Sequence, residues 1–518
     1  MREKKQISKA PTNNVISIEE MAKFCKRKGF VYQSSEIYGG LSGFFDFGPL
    51  GVELKNNIKQ HWWKTFVQSR DDIVGIDGSI ITHPSVWKAS GHVDSFTDIL
   101  VSCSKCNARH RADHLIEDKL GINTTGLALE DLRKILKEHN AKCLKCGSAL
   151  GELNGFNLMF TTNIGPLESE SSKSYLRPET AQIIFADFKL IQENARLHLP
   201  FGIAQIGKAF RNEISPRDFL FRMREFEQME IEYFVHPDKT DDCPYFEEVL
   251  EHEIQILSED MQNHNKSQQK MKIKDALHKG IIKTSWHAYW LAKAHKWFIS
   301  LGAKPDNFRI RQHISTELSH YALETWDLEY RFPFGWKELQ GLANRTDFDL
   351  QQHMKVSGKD LSLYDEETKR KVVPYVICEP SLGVERAFLV FLFDAYTYDA
   401  ERENIVLKLS PELAPFKVAV FPLVSNKEQL VKKAKEVHDM LKTEFTSFYD
   451  QSGSIGRRYS RQDEISTPYC ITVDFETLTD DSITIRNRDT TEQHRVKIKE
   501  LKNTIEKLLN KETHFSDI

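Results

Sequence analysis

The sequence predicts an α+β chain in which a large domain, built on an antiparallel β-sheet flanked by helices, precedes a smaller α/β domain. Three observations predict it. Across residues 176–234, strand-like runs alternate with short polar turns and no βαβ rhythm, which favours an antiparallel sheet. A second strand-rich block, 308–386, closes in an apolar helical segment, 387–396. After Pro411 and Pro415 the character changes to strand, amphipathic helix, further strands and a last helix. The length of 518 residues agrees, being too great for one ordinary core.

Taken in order, residues 1–15 read as a frayed leader, and their polar composition predicts no signal peptide. A glycine-rich turn, 39–51, leads into a helical stretch, 52–68, and then a strand-like run, 73–82, that ends at Pro84. Residues 103–146 hold two cysteine pairs around a helix-forming insert, 127–139. The charged segment 238–300 is expected to be a helical insertion. The large domain therefore spans 16–410 and the small one 411–518, with 411–415 as the linker. In the small domain the expected elements are strand 416–424, helix 427–445, strands 469–475 and 482–487, and helix 496–510. Leu430, Val431, Ala434, Val437, Leu441 and Phe445 share one face of its first helix.

Composition is that of an ordinary globular protein, 40% hydrophobic and 28% charged, with a net charge of only −4. No global basic field marks a nucleic-acid partner, although a local basic face would suffice for one. The apolar run 388–393 is far too short to span a bilayer, so no membrane is expected. The cysteine usage suits a reducing cytoplasm.

Two segments carry chemistry. Residues 210–234 place arginines and carboxylates alternately with apolar side chains on two strand-like runs joined by a turn. In a half-buried strand this puts one row of charges on a single face. A solvated charged hairpin is the plainer reading. However, Arg211, Arg217, Arg222 and Arg224 converge on one short turn, and guanidinium forks match phosphate oxygens. In 374–396 a strand, the turn at Gly383 and a helix with Arg386 at its start describe an anion site, or equally a capped surface helix. Separately, Cys103-Ser104-Lys105-Cys106 and Cys143-Leu144-Lys145-Cys146 form two knuckles whose four thiolates suit a structural tetrahedral Zn²⁺. Four free cytosolic thiols are the alternative.

In this order the segments resemble class II aminoacyl-tRNA synthetases, and specifically the dimeric glycyl-tRNA synthetase family. Segment 210–230 resembles the second class motif and 374–396 the third. The helix from Val52, with the strand ending at Pro84, resembles the first, which forms the dimer interface. Matching blocks at 110–113, 177–182, 335–339 and 344–350 extend the resemblance over nearly the whole chain. It implies a cytoplasmic homodimer that takes ATP, Mg²⁺, glycine and tRNA(Gly), with anticodon binding by the C-terminal domain. Arg211 would hold the α-phosphate and Arg222 and Arg386 the β,γ-phosphates, making Arg211 and Arg386 the catalytic pair. Adenine would stack between Phe226 and Arg386, with Glu213 reading its amino group.

The ATP contacts so implied also include Asn212, Phe221, Met223, Arg224, Glu225, Leu339, Gly383, Val384 and Glu385. Glu338 and Glu379 would carry Mg²⁺. The glycine pocket would be formed by Glu179, Glu230 and Ser381, with Arg111 near the substrate. Phe226, Glu227, Gln228 and Met229 on one strand, and Glu379, Pro380, Leu382 and Gly383 on the other, would surround it. Glu385 departs from the family, many of whose members have aspartate there. A class II synthetase for threonine, proline or histidine, or a non-catalytic tRNA-binding relative, are the competing readings. The lysines of 270–274 are expected on a solvated helix, and 457–461 on a basic loop whose Tyr459 could stack on anticodon bases.

Overall fold

The computed structural model describes residues 16–122, 124, 127–166, 169, 172–318 and 322–518, so the expected leader lies outside the described residues. The large domain is organised by one nine-stranded sheet. Its spatial order is Gln269–Lys272, Glu253–Leu257, Phe308–Gln312, Glu324–Phe332, Gly335–Asn344, Tyr375–Gly383, Glu225–Val235, Phe201–Phe210 and Ile73–Ile76. The six central strands pair antiparallel, as the sequence predicts; parallel pairing occurs where Ile73–Ile76 joins Phe201–Phe210 and where Glu253–Leu257 joins Phe308–Gln312.

One face of the sheet is closed by helices that are apolar nearly all round, as burial on several sides demands. Ser285–Ser300 and Val384–Ala395 enter a core that also contains Trp62 and Trp326. On part of the other face, Ala181–Ala195 contributes Ile184, Phe185 and Phe188 to a second cluster with Phe201 and Phe234. The rest of that face stays open, and the site lies there.

The helix Pro49–Trp63 begins with proline at its first turn, where a missing N–H costs nothing, and continues through a π-turn at Lys64–Gln68. Its first turn is laid directly on the chain at Gly29 and Phe30. A Cβ on Gly51 would stand 1.8 Å from the Phe30 carbonyl oxygen. Trp62 and Trp87 are 2% and 1% exposed, so these tryptophans belong to the core of the single chain and offer no apolar surface to a second copy.

Several expected elements change. The run 73–82 divides into Ile73–Ile76 and Ile81–Thr82, which join different sheets. Between them Gly78 passes so close to Ile183 that an added Cβ would meet it at 2.5 Å. Segment 238–300 is only partly helical, because Glu253–Leu257 and Gln269–Lys272 extend the main sheet. The lysine-rich 270–274 is accordingly strand and then helix start. Apolar Ile254 and Ile256 alternate with polar neighbours there, a period-two signal masked by the surrounding charge.

The C-terminal domain is a five-stranded mixed sheet, ordered Ser447–Tyr449, Val418–Pro422, Tyr469–Val473, Ser482–Asn487 and Gln493–Lys497. Helix Glu428–Leu441 buries Leu430, Ala434, Val437 and Leu441 against it, while Val431 and Phe445 are half-buried. The expected helix 496–510 starts later, at Leu501, because Val496 is held in the edge strand opposite Ile483. Residues 457–461 lie on a helix, Ile455–Asp463, not a loop. Arg458 is buried on the carbonyls of Pro422 and Gly453, and the Tyr459 hydroxyl is 2.6 Å from Thr472 Oγ1 with Arg486 over its ring. Tyr459 is therefore not free to stack on a base.

Gly51 tests the close approach of the first-motif helix. Helix propensity alone favours Gly51→Ala by about 1 kcal/mol. The contact with backbone predicts the opposite sign, a loss of about 1–3 kcal/mol measured by denaturant unfolding.

Candidate active site

The strand pair Phe201–Phe210 and Glu225–Val235 is joined by 211–224, which folds over the open face. Arg224 organises that turn. Its Nε and Nη2 donate to the Glu213 carbonyl at 3.1 and 2.8 Å, and Nη1 donates to the Ser42 carbonyl at 2.8 Å. With its Nε, Nη1 and Nη2 each so bonded, Arg224 holds the turn together and does not line the cavity beneath it, contrary to its expected place there.

Beneath the turn lies a cavity of about 230 Å³ lined by Arg211, Glu213, Phe221, Arg222, Glu338 and Arg386, among others. Arg386 Nη1 donates to the Glu338 carbonyl at 2.8 Å and lies 3.3 Å from its carboxylate; the guanidinium rests 4.5 Å from the Phe221 ring centre. Arg222 Nη1 is 3.3 Å from Glu213 Oε2. Arg211 donates to the Pro178 carbonyl at 3.0 Å and stands 5.3 Å from the centre of Phe226. The three arginines expected to face phosphates thus converge, and Phe226 faces the same cavity. The Glu338 side chain is 52% exposed; partial desolvation acts to raise its pKa, but Arg386 and the other nearby cations outweigh it and hold the carboxylate low. A larger cavity of about 500 Å³ beside Lys189, His236 and Tyr364 offers only two lysines. One of these is paired with Glu367 and the other donates to the Ser362 carbonyl, so no comparable guanidinium cluster is present.

The pleat decides which of the expected residues reach the site, because successive side chains of a strand point to opposite faces. On Glu225–Val235, Phe226, Gln228 and Glu230 face the site. Glu225 turns out to Lys208, Glu227 turns to Lys55 at 2.8 Å and Lys59 at 3.3 Å, and Met229 is in the core. On Tyr375–Gly383, Glu379, Ser381 and Gly383 face the site, whereas Leu382 packs in the core and Pro380 points the same way. Val384 is likewise core, and Glu385 is directed to Lys55 Nζ at 2.6 Å and to the Glu227 backbone N–H. Asn212 is tied by its backbone N–H to the Leu158 carbonyl, while Met223 and Leu339 line the cavity as apolar walls.

Gln228 and Ser381 join the cavity to a second, acidic end. Gln228 Nε2 donates to Ser381 Oγ at 3.1 Å, and its Oε1 accepts from the Thr180 N–H at 3.1 Å. Beyond them Glu230 accepts from the Thr180 hydroxyl, and Glu179 lies 3.3 Å from His92 Nε2 and accepts from Gln182 at 3.1 Å. Glu379 accepts two bonds from Arg345 Nη1, at 3.0 and 2.9 Å. Arg345 also forks onto Asp349 at 2.7 and 2.9 Å. Glu232, 0% exposed, completes a group of three carboxylates with Glu230 and Glu379 whose oxygens lie within 4.8 Å of one another.

Burial pushes Glu379 up to about 8 despite Arg345, and raises Glu230 and, further, Glu232. Burial would also raise Glu179, but His92 and Arg345 overcome it and hold this carboxylate well below the usual range. One ionised carboxylate therefore sits beside a group that retains protons near neutrality.

Glu338 and Glu379, both expected to carry Mg²⁺, are kept by the strand register from sharing one ion. Ala343 pairs with Glu379, and Glu338 lies five residues back along its strand, about 16 Å at ~3.3 Å per residue. One ion with ligands at about 2.1 Å cannot join them. Glu338 belongs to the arginine-lined cavity and Glu379 to the acidic end. Arg111 contacts Asp98 at 2.6 Å, Asp113, and Glu213 at 4.0 Å.

His92, Thr180, Gln182, Glu232, Arg345 and Asp349 were not singled out in the sequence. Thr180, Gln182, Arg345 and Asp349 fall inside blocks recognisable there, but nothing in a linear pattern distinguishes them from capping or surface residues. The four cysteines do come together, with Cys103 Sγ 3.4 Å from Cys146 Sγ and Cys106 Sγ 3.7 Å from Cys143 Sγ. A tetrahedral site with Zn–S bonds of about 2.3 Å has sulfur–sulfur edges of about 3.8 Å, so the cluster fits the ion.

The chain is similar to known proteins. Residues 160–395 match the description "tRNA synthetase class II core domain (G, H, P, S and T)", and 417–508 match "Anticodon binding domain". A glycine–tRNA ligase from Caldanaerobacter subterraneus subsp. tengcongensis is 46% identical over 502 residues, covering 95% of this chain and 99% of the relative. That of Geobacillus kaustophilus is 46% identical over 500 residues, covering 95% and 98%. Among solved structures, a Giardia lamblia prolyl-tRNA synthetase in complex with prolyl-adenylate superposes with a TM-score of 0.58 at 15% identity, covering 96% of this chain and 80% of that one. A prolyl-tRNA synthetase from Cryptosporidium parvum gives 0.57 at 14%, covering 97% and 77%; at these identities the likeness is one of fold.

The Arg345 fork is open to direct test. Arg345→Ala leaves Glu379 and Asp349 buried without their cation and is expected to cost about 3–5 kcal/mol in urea unfolding. A loss below about 1 kcal/mol would show that the fork is dispensable to the fold.

Proposed function

The chain belongs to the glycine–tRNA ligase family of class II aminoacyl-tRNA synthetases, and from that premise we infer how its own side chains divide the reaction. The enzyme joins glycine to tRNA in two steps. A glycine carboxylate oxygen attacks the α-phosphorus of ATP and pyrophosphate leaves; the hydroxyl at the tRNA 3′ end then attacks the adenylate carbonyl and AMP leaves. The observation that carries the assignment of roles is the continuity of an arginine-lined cavity, through Gln228 and Ser381, with a buried carboxylate group.

Arg211 holds the α-phosphate and Arg222 and Arg386 the terminal phosphates. Adenine enters the slot bounded by Phe226 and Arg386, near Glu213. The glycine carboxylate is already ionised, so no general base is required. The arginines act by position and by stabilising charge as the phosphorus is attacked. Class II synthetases use Mg²⁺ with ATP, and Glu338 is the residue that would hold it against the phosphates, where the ion neutralises their charge. The α-ammonium of glycine is received by Glu179, Glu230 and Glu379, with Ser381 beside it.

The cysteine cluster is read as a structural Zn²⁺ site, since four sulfurs leave no open position. The two copies of a homodimer would meet through the exposed Val52, Ile80 and Ile81 beside the edge strand Ile73–Ile76, with the buried Trp62 and Trp87 uninvolved. Among the described residues no helix is long and apolar enough to cross a membrane. The reduced cysteine pairs suit a cytoplasmic enzyme.

Pyrophosphate exchange tests the assignment. Exchange should require glycine and should fail with threonine, proline or histidine. Arg211→Ala should lower it by about 10²- to 10³-fold with the circular dichroism spectrum unchanged. Exchange at the normal rate in that variant would remove Arg211 from the mechanism.

The acidic end predicts a pH dependence. Glu379 keeps a proton below about 8, and a cationic ammonium is held better once that proton is lost. The KM for glycine is therefore expected to fall as pH rises from about 6 to about 8.5. A flat profile would contradict the placing of the ammonium at Glu379.

A further inference from the structure

The short strand Arg109–Arg111 separates two sites. It pairs antiparallel with Thr97–Cys103, with Val101 opposite His110 and Leu100 opposite Arg111. Its two last side chains therefore point to opposite faces. On one face His110 Nε2 lies 3.3 Å from Cys143 Sγ, although His110 stands outside the group of four sulfurs. On the other face Arg111 Nη1 is 2.6 Å from Asp98, and Nε donates to Asp113 at 3.0 Å. Its Nη1 is also 4.0 Å from Glu213, the residue that faces Arg222 in the nucleotide cavity. A second bridge runs from the following helix, Ala112–Leu120, where Asp118 meets Arg217 of the turn over that cavity at 3.0 Å.

We propose that His110 is a positioning residue that couples the cysteine-bound metal to the ATP site. Its Nε2–H donates to the Cys143 thiolate, and this contact fixes a strand whose next side chain, Arg111, braces Glu213. The inference rests on the Zn²⁺ reading of the cysteines and on the nucleotide role of Glu213. Its physical basis is general: a thiolate bound to a metal keeps negative charge, a ring N–H beside it is a strong partner, and such outer contacts orient the ligands and their backbone. A backbone displacement at His110 is carried to Arg111, because adjacent residues of the strand share one rigid peptide plane. The metal module is then more than a surface knob, because its order is transmitted to the wall of the substrate cavity.

The experiment uses the full-length chain as wild type, His110→Ala, His110→Gln and Arg111→Ala, each loaded with zinc or stripped of it. Zinc affinity is read by chelator competition, and affinity for a non-hydrolysable ATP analogue by calorimetry. Cobalt-loaded samples report the thiolate charge-transfer bands, and thermal melting reports the fold. His110→Ala should bind zinc about 10- to 100-fold more weakly and shift the cobalt bands, and His110→Gln, which retains an N–H donor, should recover most of the loss. Stripping zinc from the wild type should weaken ATP binding about tenfold, the scale of one charge-assisted contact. In Arg111→Ala the same stripping should change it little.

Zinc affinity in His110→Ala equal to wild type would overturn the proposal. So would a zinc-dependent loss of ATP affinity as large in Arg111→Ala as in the wild type. A wild-type chain that takes up no zinc would overturn the metal reading as well, and the two failures are told apart by the wild-type titration alone.

Discussion

The acidic end of the site depends on one buried guanidinium. Arg345, 3% exposed, follows the central strand Gly335–Asn344 and reaches Glu379 on the neighbouring strand and Asp349 on the next helix. Asp349 in turn accepts from Gln182, which also donates to Glu179. A single connected set of charge-assisted bonds therefore joins two sheet strands to the helices Phe348–Ser357 and Ala181–Ala195. Such bonds are strong because little water competes for them, and for the same reason any carboxylate without a partner must keep its proton. Glu232, with neither oxygen hydrogen-bonded, is the residue that does so. The pocket can then hold an excess of carboxyl groups without an equal excess of negative charge until a cation arrives.

The arginine-lined end follows a different logic. Its arginines come from separate places, the turn after Phe201–Phe210 and the first turn of the helix Val384–Ala395, and each is tied to a carbonyl or a carboxylate before any phosphate is present. Their positions are fixed in advance, so binding need not gather flexible side chains. The two ends meet on one sheet face, at Gln228 and Ser381. That is the region in which an acid group held at one end can approach a phosphate held at the other.

The antiparallel core and the smaller α/β domain were legible in the sequence because both follow from local periodicity. The arginines and the four cysteines were also legible, since few structures call for such clusters. The alternation of a strand was legible in principle, and it removes Glu225, Glu227, Met229, Pro380 and Leu382 from the side chains that face substrate. The resemblance had carried these as contiguous runs. What the sequence hides is pairing at a distance. Nothing local says that Arg345 meets Glu379, that Glu338 and Glu379 lie far apart along adjacent strands, or that His92 faces Glu179. The strands within 238–300 were obscured for another reason: their outward side chains are charged, and the apolar half of the pattern is short.

The join between the domains bears on how a neutral chain handles a large polyanion. The linker suggested by Pro411 and Pro415 is not a tether. Lys417 places its ammonium among the carbonyls of Pro411, Glu412 and Ala414 at 2.9, 2.8 and 3.0 Å, and Asn57 of the first-motif helix donates to Leu413 and Ala414 at 3.2 and 3.1 Å. Arg402 reaches across to the Arg488 carbonyl at 2.7 Å, and Lys28 to Glu464. A flexible linker would leave each domain to bind independently, with an effective concentration set by its length. A pinned one fixes the span between them, so that a partner touching both must have the matching shape. With a net charge of −4 the chain has little long-range attraction to offer a nucleic acid. A fixed span lets geometry supply discrimination that a general basic field would not.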